Sequence, residues 1–217
     1  MAITRLELGS REAWLQARAK RIGGSDAAAI VGLNPYMTNV DLWEQKTGRA
    51  VQEEGPGSKF ARYGTEAEKY LRQLFILDYP QFEVGYSENN MFLNDDYPFA
   101  HASLDGWLTD GEGRKGILEI KTTTIQSPTQ KTKWENRIPD NYYCQVYWYM
   151  AVCEAEFAIL KAQLKWDNGS DIFLVTRHYQ MERKDMQSDI DFLMKSGAEF
   201  YEYIKKDIRP PLLLPEI

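Results

Sequence analysis

A chain of 217 residues, 43% apolar and 13% aromatic, has the length and composition of a globular protein with a sizeable core, which sets the disordered class aside. No apolar run approaches the roughly 20 residues that span a bilayer, and the opening MAITRLELGSREAWLQARAK lacks the apolar stretch of a signal peptide, so a cytoplasmic protein is expected. The formal charge of −6 argues only weakly against a nucleic-acid partner, because the sum hides basic clusters at Lys59, Arg62, Lys69 and Arg72 and at Lys131, Lys133 and Arg137.

Ser10 is the expected N-cap of a first helix reaching about Lys20. Ser25 is expected to cap a second, Ala-rich helix that stops near Gly32, and NVDLWEQKTG a third, closed by Gly48. QEEGPGSK reads as a loop. ARYGTEAEKYLRQLFILDYP predicts a long helix ending before Pro80, with Ala67, Tyr70, Leu71, Leu74 and Phe75 in one apolar stripe. The period then changes. FEVGYSEN, MFLN, FAHASLDGWLTD and GILEIKTT read as short strands, with TDGEGRKG as a hairpin-type loop. PDNYYCQVYWYMAVCEAEF predicts a helix beginning near Pro139 or Asp140. FAILKAQLKWD and DIFLVTRHYQME read as two strands joined by an Asn-Gly turn. A long amphipathic helix follows over residues 184–207, then a Pro-rich irregular end. No repeat and no long linker divides the chain. The fold class is therefore α/β (α+β), one domain over residues 1–217 with a mixed sheet flanked by helices. Cys144 and Cys153, with no metal-type spacing, read as reduced buried thiols.

GILEIK poses a chemical question. In a strand, residues two apart share a face, so Glu119 and Lys121 lie beside Ile117 while Leu118 and Ile120 face the other way. An unpaired buried carboxylate costs several kcal/mol. Lys121 alone could pair with Glu119, and an exposed ion pair on an edge strand is the ordinary reading. Asp105, at a turn just upstream, adds a second carboxylate, and two close carboxylates call for a divalent cation. Asp105, Glu119 and the Ile120 carbonyl are hard oxygen donors suited to Mg²⁺ or Mn²⁺. Such an ion would polarise a phosphodiester and lower the pKa of a bound water. Lys121 would orient or deprotonate that water, or neutralise developing charge.

The blocks around these residues narrow the choice. RIGGSDAAAIVGLNPYMTNVDLWEQKTG, YGTEAEKYLRQLF, ASLDGW, LEIK and YYCQVYWYMAV, in this order over about Ala19 to Glu156, resemble the lambda-exonuclease and YqaJ family of viral recombination nucleases. The resemblance implies a PD-(D/E)xK restriction-endonuclease-like core and a Mg²⁺- or Mn²⁺-dependent deoxyribonuclease. It further implies a 5′→3′ exonuclease on double-stranded DNA ends, a ring-shaped homotrimer, a single-strand annealing protein as partner, and a phage or prophage origin in a bacterial host. Residue by residue, it implies metal ligation by Asp105 and Glu119, a catalytic role for Lys121, and a helix glutamate, Glu68, reaching the metal directly or through water. Gln145 would order the site, and Tyr142, near it, would join in binding DNA. Arg21 and Ser25 would bind the terminal 5′-phosphate, a role that suits Ser25 at a helix start after two glycines. Leu104 stands where the family usually has proline, and Thr122 follows Lys121 where it often has cysteine; neither change removes a ligand.

Other readings remain open. A PD-(D/E)xK endonuclease or repair nuclease shares the fold, and a non-catalytic DNA-binding protein could reuse the scaffold. An interaction protein with an acidic surface would not bring Glu68, Asp105 and Glu119 together. Two cysteines are too few for an iron–sulfur variant. Tyr143, Tyr147 and Met150 read as a core stripe, and His101 and His178 as structural.

Overall fold

The computed structural model describes residues 2–50 and 59–214, so the loop expected at QEEGPGSK lies, apart from Lys59, outside the described residues. Its elements follow the expected order with local differences. β1 (Ile3–Glu7) pairs antiparallel with β3 (Asn90–Asn94) in a two-stranded ribbon. β1 is a short, largely exposed strand with no hydrophobic alternation to announce it. The main sheet has the order β2 (Glu83–Gly85), β4 (Gly106–Thr109), β5 (Lys115–Thr124), β6 (Phe157–Asp167), β7 (Ile172–Glu182). Neighbours run antiparallel except β5 and β6, which are parallel, with Glu119 opposite Leu160 and Lys121 opposite Ala162. A parallel pair needs a crossover. Here it is made by α5 (Pro128–Thr132) and α6 (Asp140–Val152).

Both faces of the sheet are covered, which is why β5 is buried from Gly116 to Ile120. Ile117, Ala158, Leu160 and Ala162 point into the larger core, against α2 (Gly24–Ile30), α6 and α7 (Arg183–Lys205). Leu118, Ile120, Phe157 and Ile159 point into a smaller core with Leu71 and Phe75 of α4 (Lys59–Asp78). The period-2 alternation thus sends Glu119 and Lys121 to the face of α6.

α1 (Arg11–Ala19) is capped as expected, Ser10 Oγ accepting from the Ala13 N–H at 3.2 Å. α3 (Asn39–Lys46) closes at Gly48, which takes a positive φ of 74°. The apolar stripe of α4 is narrower than expected: Tyr70 and Leu74 are 63% and 49% exposed, because the small core beneath the helix reaches only Ala67, Leu71 and Phe75. The strand expected over FAHASLDGWLTD shortens to β4. Ala100 and Ala102 make only isolated bridges, to Ile22 and Phe92, since no continuous neighbour runs beside them. α6 ends at Val152 rather than near Phe157. Glu154 turns the chain with a φ of 50°, and Phe157 opens β6. Both cysteines are free thiols, and burial pushes Cys144 up to about 11. Among the described residues no helix is long and apolar enough to cross a membrane.

Candidate active site

A cavity of about 550 Å³ opens where α1, α2, α4 and α6 meet β5 and the turn before β4. Its wall includes Ser25, Glu68, Asp105, Glu119, Ile120, Lys121 and Gln145. Arg21 and Tyr142, also singled out above, are not among the residues lining it.

Glu119 is 2% exposed. Its Oε1 sits 2.7 Å from Lys121 Nζ and accepts a hydrogen bond from Gln145 Nε2, also at 2.7 Å. Its Oε2 is buried without a hydrogen-bond partner. Gln145 Nε2 also donates to Tyr149 Oη at 3.1 Å, so the α6 side chains hold Glu119 from behind. Lys121 Nζ lies 5.0 Å from the Tyr142 ring centroid. Asp105 Oδ2 accepts from the Ile120 N–H at 2.8 Å, tying the β4 turn to β5. Glu68 pairs with Arg72 one turn along α4, at 3.0 Å.

Negative charge is in excess here. Burial raises Asp105 well above the ordinary carboxylate range, and the Glu119 and Glu68 charges raise it further; Lys121 and the Ile120 N–H pull the other way. Burial also raises Glu119, opposed chiefly by Lys121. Burial alone would lower the Lys121 ammonium, but Glu119 and Asp105 outweigh that and hold its pKa up. Asp105 and Lys121 lie deep in the protein while keeping some surface on the cavity.

Among the described residues no three His, Cys, Asp or Glu side chains form a ready-made metal cluster. The reason is local: Asp105 leans on a backbone N–H, Glu119 on Lys121 and Gln145, and Glu68 on Arg72. The donor chemistry nonetheless fits a hard divalent ion. The side-chain donors are carboxylates, Glu119 Oε2 is buried with nothing to bond, and a +2 charge would relieve the repulsion that raises Asp105.

The end of the cavity under α1 differs from expectation. α2 starts at Gly24 with Gly23 as N-cap, so Ser25 lies inside the first turn, and the Asp26 carboxylate accepts from the Gly23 N–H at 3.0 Å. Ser25 Oγ instead accepts from Arg18 Nη2 at 3.1 Å, and the Arg18 guanidinium lies 4.4 Å from the Trp14 ring centroid. Trp14 and Arg18 both line the cavity. Their only mark in the sequence is the i, i+4 spacing that puts them on one face of α1. Arg21 follows the helix end, its N–H bonded to the Arg18 carbonyl at 3.1 Å, and its carbonyl accepts from Lys46 Nζ at 2.8 Å.

The Gly-Gly pair has a packing reason. A Cβ on Gly23 would fall 2.3 Å from His101 Cε1, and one on Gly24 would fall 2.4 Å from Tyr149 Cε1. His101 is buried with neither ring nitrogen bonded, and burial, then the Arg18 charge, pushes its pKa down to about 3. It is a neutral packing residue and not part of the cavity wall.

The family model for the YqaJ-like viral recombinase domain matches residues 13–156. The chain belongs to this YqaJ-like viral recombinase family. It is 33% identical over 198 residues to Uncharacterized protein YqaJ of Bacillus subtilis (strain 168), a match covering 88% of this chain and 56% of that protein. The chain thus spans little more than half the length of that curated relative. Among solved structures it is similar to an alkaline exonuclease, LHK-Exo, from Laribacter hongkongensis (TM-score 0.62, 16% identity, 90% of this chain and 95% of that one). It is also similar to a phage-related exonuclease from Haemophilus somnus 129PT (TM-score 0.55, 13% identity, 86% and 96%). At such identities these likenesses speak to fold. That fold is a mixed five-stranded sheet flanked by helices.

Proposed function

We propose that the chain is a divalent-metal-dependent deoxyribonuclease that digests double-stranded DNA from its ends, 5′→3′, in phage-type recombination in a bacterial cytoplasm. One observation carries the reading: Asp105, Glu119 and Lys121 share a cavity with the Ser25–Arg18 pair. A nucleophile-activating, charge-neutralising centre and an anion-binding corner then lie within reach of one strand end.

Asp105, Glu119, the Ile120 carbonyl and Glu68 are the groups that would hold Mg²⁺ or Mn²⁺, and when bound such an ion supplies Lewis-acid polarisation of the scissile phosphodiester. The protein's own groups do the rest. Gln145 keeps Glu119 Oε1 in place through its 2.7 Å bond. Lys121, held as an ammonium by Glu119 and Asp105, donates to the phosphate and neutralises charge as it develops. Tyr142, beside the Lys121 amine, limits where that amine can swing. Ser25 and Arg18 take the terminal 5′-phosphate, a reading supported by the hydrogen bond between them and by Arg18, rather than Arg21, being among the residues that line the cavity. A homotrimer and a single-strand annealing partner belong to the same reading and rest on the family resemblance.

The test is digestion of linear duplex DNA, labelled at one 5′ or one 3′ end, with Mg²⁺ or EDTA, beside covalently closed circular DNA. Metal-dependent loss of linear DNA alone, with the 5′ label released first, is expected. Nicking of the circle would replace the reading by an endonuclease. No cleavage of either by folded protein would refute it.

A further inference from the structure

Arg72 belongs to a basic run whose other members, Lys59, Arg62 and Lys69, are exposed on α4; Arg72 is 7% exposed. Its Nη1 donates to Glu68 Oε1 at 3.0 Å and to the Asp105 carbonyl at 2.6 Å. Its guanidinium carbon lies 3.3 Å from the centroid of the Tyr86 ring, and Tyr86 also lines the cavity. Desolvating a guanidinium costs several kcal/mol, and a cation meant for DNA would sit at the surface at far less cost. The spatial consequence is specific. One nitrogen joins the helix glutamate to the backbone of the residue that supplies the opposing carboxylate, which lies 33 positions from Arg72 in the chain. The separation of Glu68 from Asp105 is therefore set through Arg72.

We propose that Arg72 is a positioning residue for the divalent cation. It locks Glu68 and the Asp105 turn into one unit and offsets part of the carboxylate charge before the cation arrives. This rests on the nuclease reading above and adds to it the residue that preorganises the cation-binding side chains. An arginine is required, because the extended guanidinium bonds both acceptors while its carbon sits over the Tyr86 ring, which a compact ammonium on a shorter reach cannot reproduce.

The test uses Arg72→Lys, Arg72→Met and Tyr86→Leu, with Lys69→Ala as a surface control. Mn²⁺ binding to the protein without DNA is measured by electron paramagnetic resonance. The Mg²⁺ dependence and the DNA KM of cleavage are measured separately. Both Arg72 variants should weaken Mn²⁺ binding and raise the half-saturating Mg²⁺ by about 10–100-fold, the usual cost of losing a partner that orients a metal ligand. Tyr86→Leu should move both in the same direction by less, and it serves if an Arg72 variant fails to fold. The DNA KM should stay within about twofold at saturating Mg²⁺. Unchanged cation constants with a raised, salt-sensitive KM would make Arg72 a DNA contact and overturn the proposal. Unchanged cation constants with only a lowered Tm would reduce it to packing and overturn it equally. A wild type that cleaves no DNA sinks the nuclease reading alone, since the Mn²⁺ titration still decides Arg72; a wild type that binds no Mn²⁺ sinks the proposal.

Discussion

Gly24→Ala is the sharpest small perturbation the site allows. The added Cβ would stand 2.4 Å from Tyr149 Cε1 and 2.9 Å from Cδ1 and Cζ, where ordinary contact starts at 3.4 Å. The ring or the helix must therefore retreat by about 1 Å, and a close-packed interior resists such a shift. Tyr149 is buried, and its hydroxyl accepts from Gln145 Nε2, which holds Glu119. Overpacking of this kind costs about 1–3 kcal/mol. The helix-propensity gain of alanine over glycine offsets up to about 1 kcal/mol of it. A net loss of about 1–2 kcal/mol corresponds to a fall in Tm of about 2–8 °C for a domain of this size. If the shift passes along Tyr149 and Gln145 to Glu119, kcat falls by as much as about 100-fold, the cost of roughly 1 Å of misplacement. The assay pairs thermal unfolding with kcat on linear duplex DNA. Gly111→Ala, where nothing lies within 4 Å of the new Cβ, is the control. Gly24→Ala/Tyr149→Leu should regain Tm without regaining kcat, because the smaller side chain relieves the clash but removes the Tyr149 hydroxyl, one of the two acceptors that fix Gln145 Nε2. A Gly24→Ala protein with the Tm and kcat of the Gly111→Ala control would refute the chain from α2 to Glu119.

Lys121→Met should lower cleavage by about 10²–10⁴-fold. It removes the charge that counters the upward shift of Glu119, so its stability loss relative to wild type should appear above the ordinary carboxylate range and vanish below it, where Glu119 is protonated; full activity would sink the mechanism. Asp105→Asn should abolish cleavage yet raise Tm at pH 8. Folding raises this carboxyl, so the wild type loses stability as pH climbs from the usual Asp range through the folded value, a loss the amide does not share. Its Tm advantage should grow from about pH 4 to pH 8, and a pH-independent difference would contradict it. Arg18→Ala should cost about 10–100-fold in preference for 5′-phosphorylated over 5′-hydroxyl ends, from the loss of a charged hydrogen bond, while Arg21→Ala leaves the preference intact. The reverse outcome in competition digests would return the phosphate role to Arg21.

The strand carrying Glu119 and Lys121 was readable because period-2 alternation survives in a short segment, and both faces of β5 find cores as that period requires. The short helices α1 and α3 were readable from local chemistry, a serine cap and a glycine stop, and the long helices α4 and α7 from their period-3.6 patterns. What escapes a linear reading depends on partners distant in the chain. Tyr70 and Leu74 continue a clean helical stripe, yet the core beneath α4 is too small to take them. Arg72 and Glu68 look like an ordinary i, i+4 surface pair until the Asp105 carbonyl closes over them. Arg21 stands next to the Gly-Gly pair in sequence, but the turn after α1 takes it off the cavity wall and leaves Arg18 there. The bridges Ile22–Ala100 and Phe92–Ala102 are too isolated to carry a strand pattern.

The site's charge balance explains why so much scaffolding converges on it. Glu68, Asp105 and Glu119 are three carboxylates in a half-enclosed space, and Lys121 and Arg72 are the cations that contact them or the Asp105 backbone. The remaining negative charge shows itself as the raised Asp105 and as a buried Glu119 oxygen with no partner. Repulsion of this kind would normally push a flexible site apart. It cannot do so here, because each carboxylate is tied to a different rigid element: Asp105 to the β5 backbone, Glu119 to α6 through Gln145, and Glu68 to its own helix through Arg72. The stored repulsion is then available as affinity for a cation that removes it, so neutralising Asp105, which has no cationic partner of its own among the described residues, should stabilise the fold and destroy the activity together, whereas neutralising Glu119 or Glu68 would strand the Lys121 or Arg72 charge.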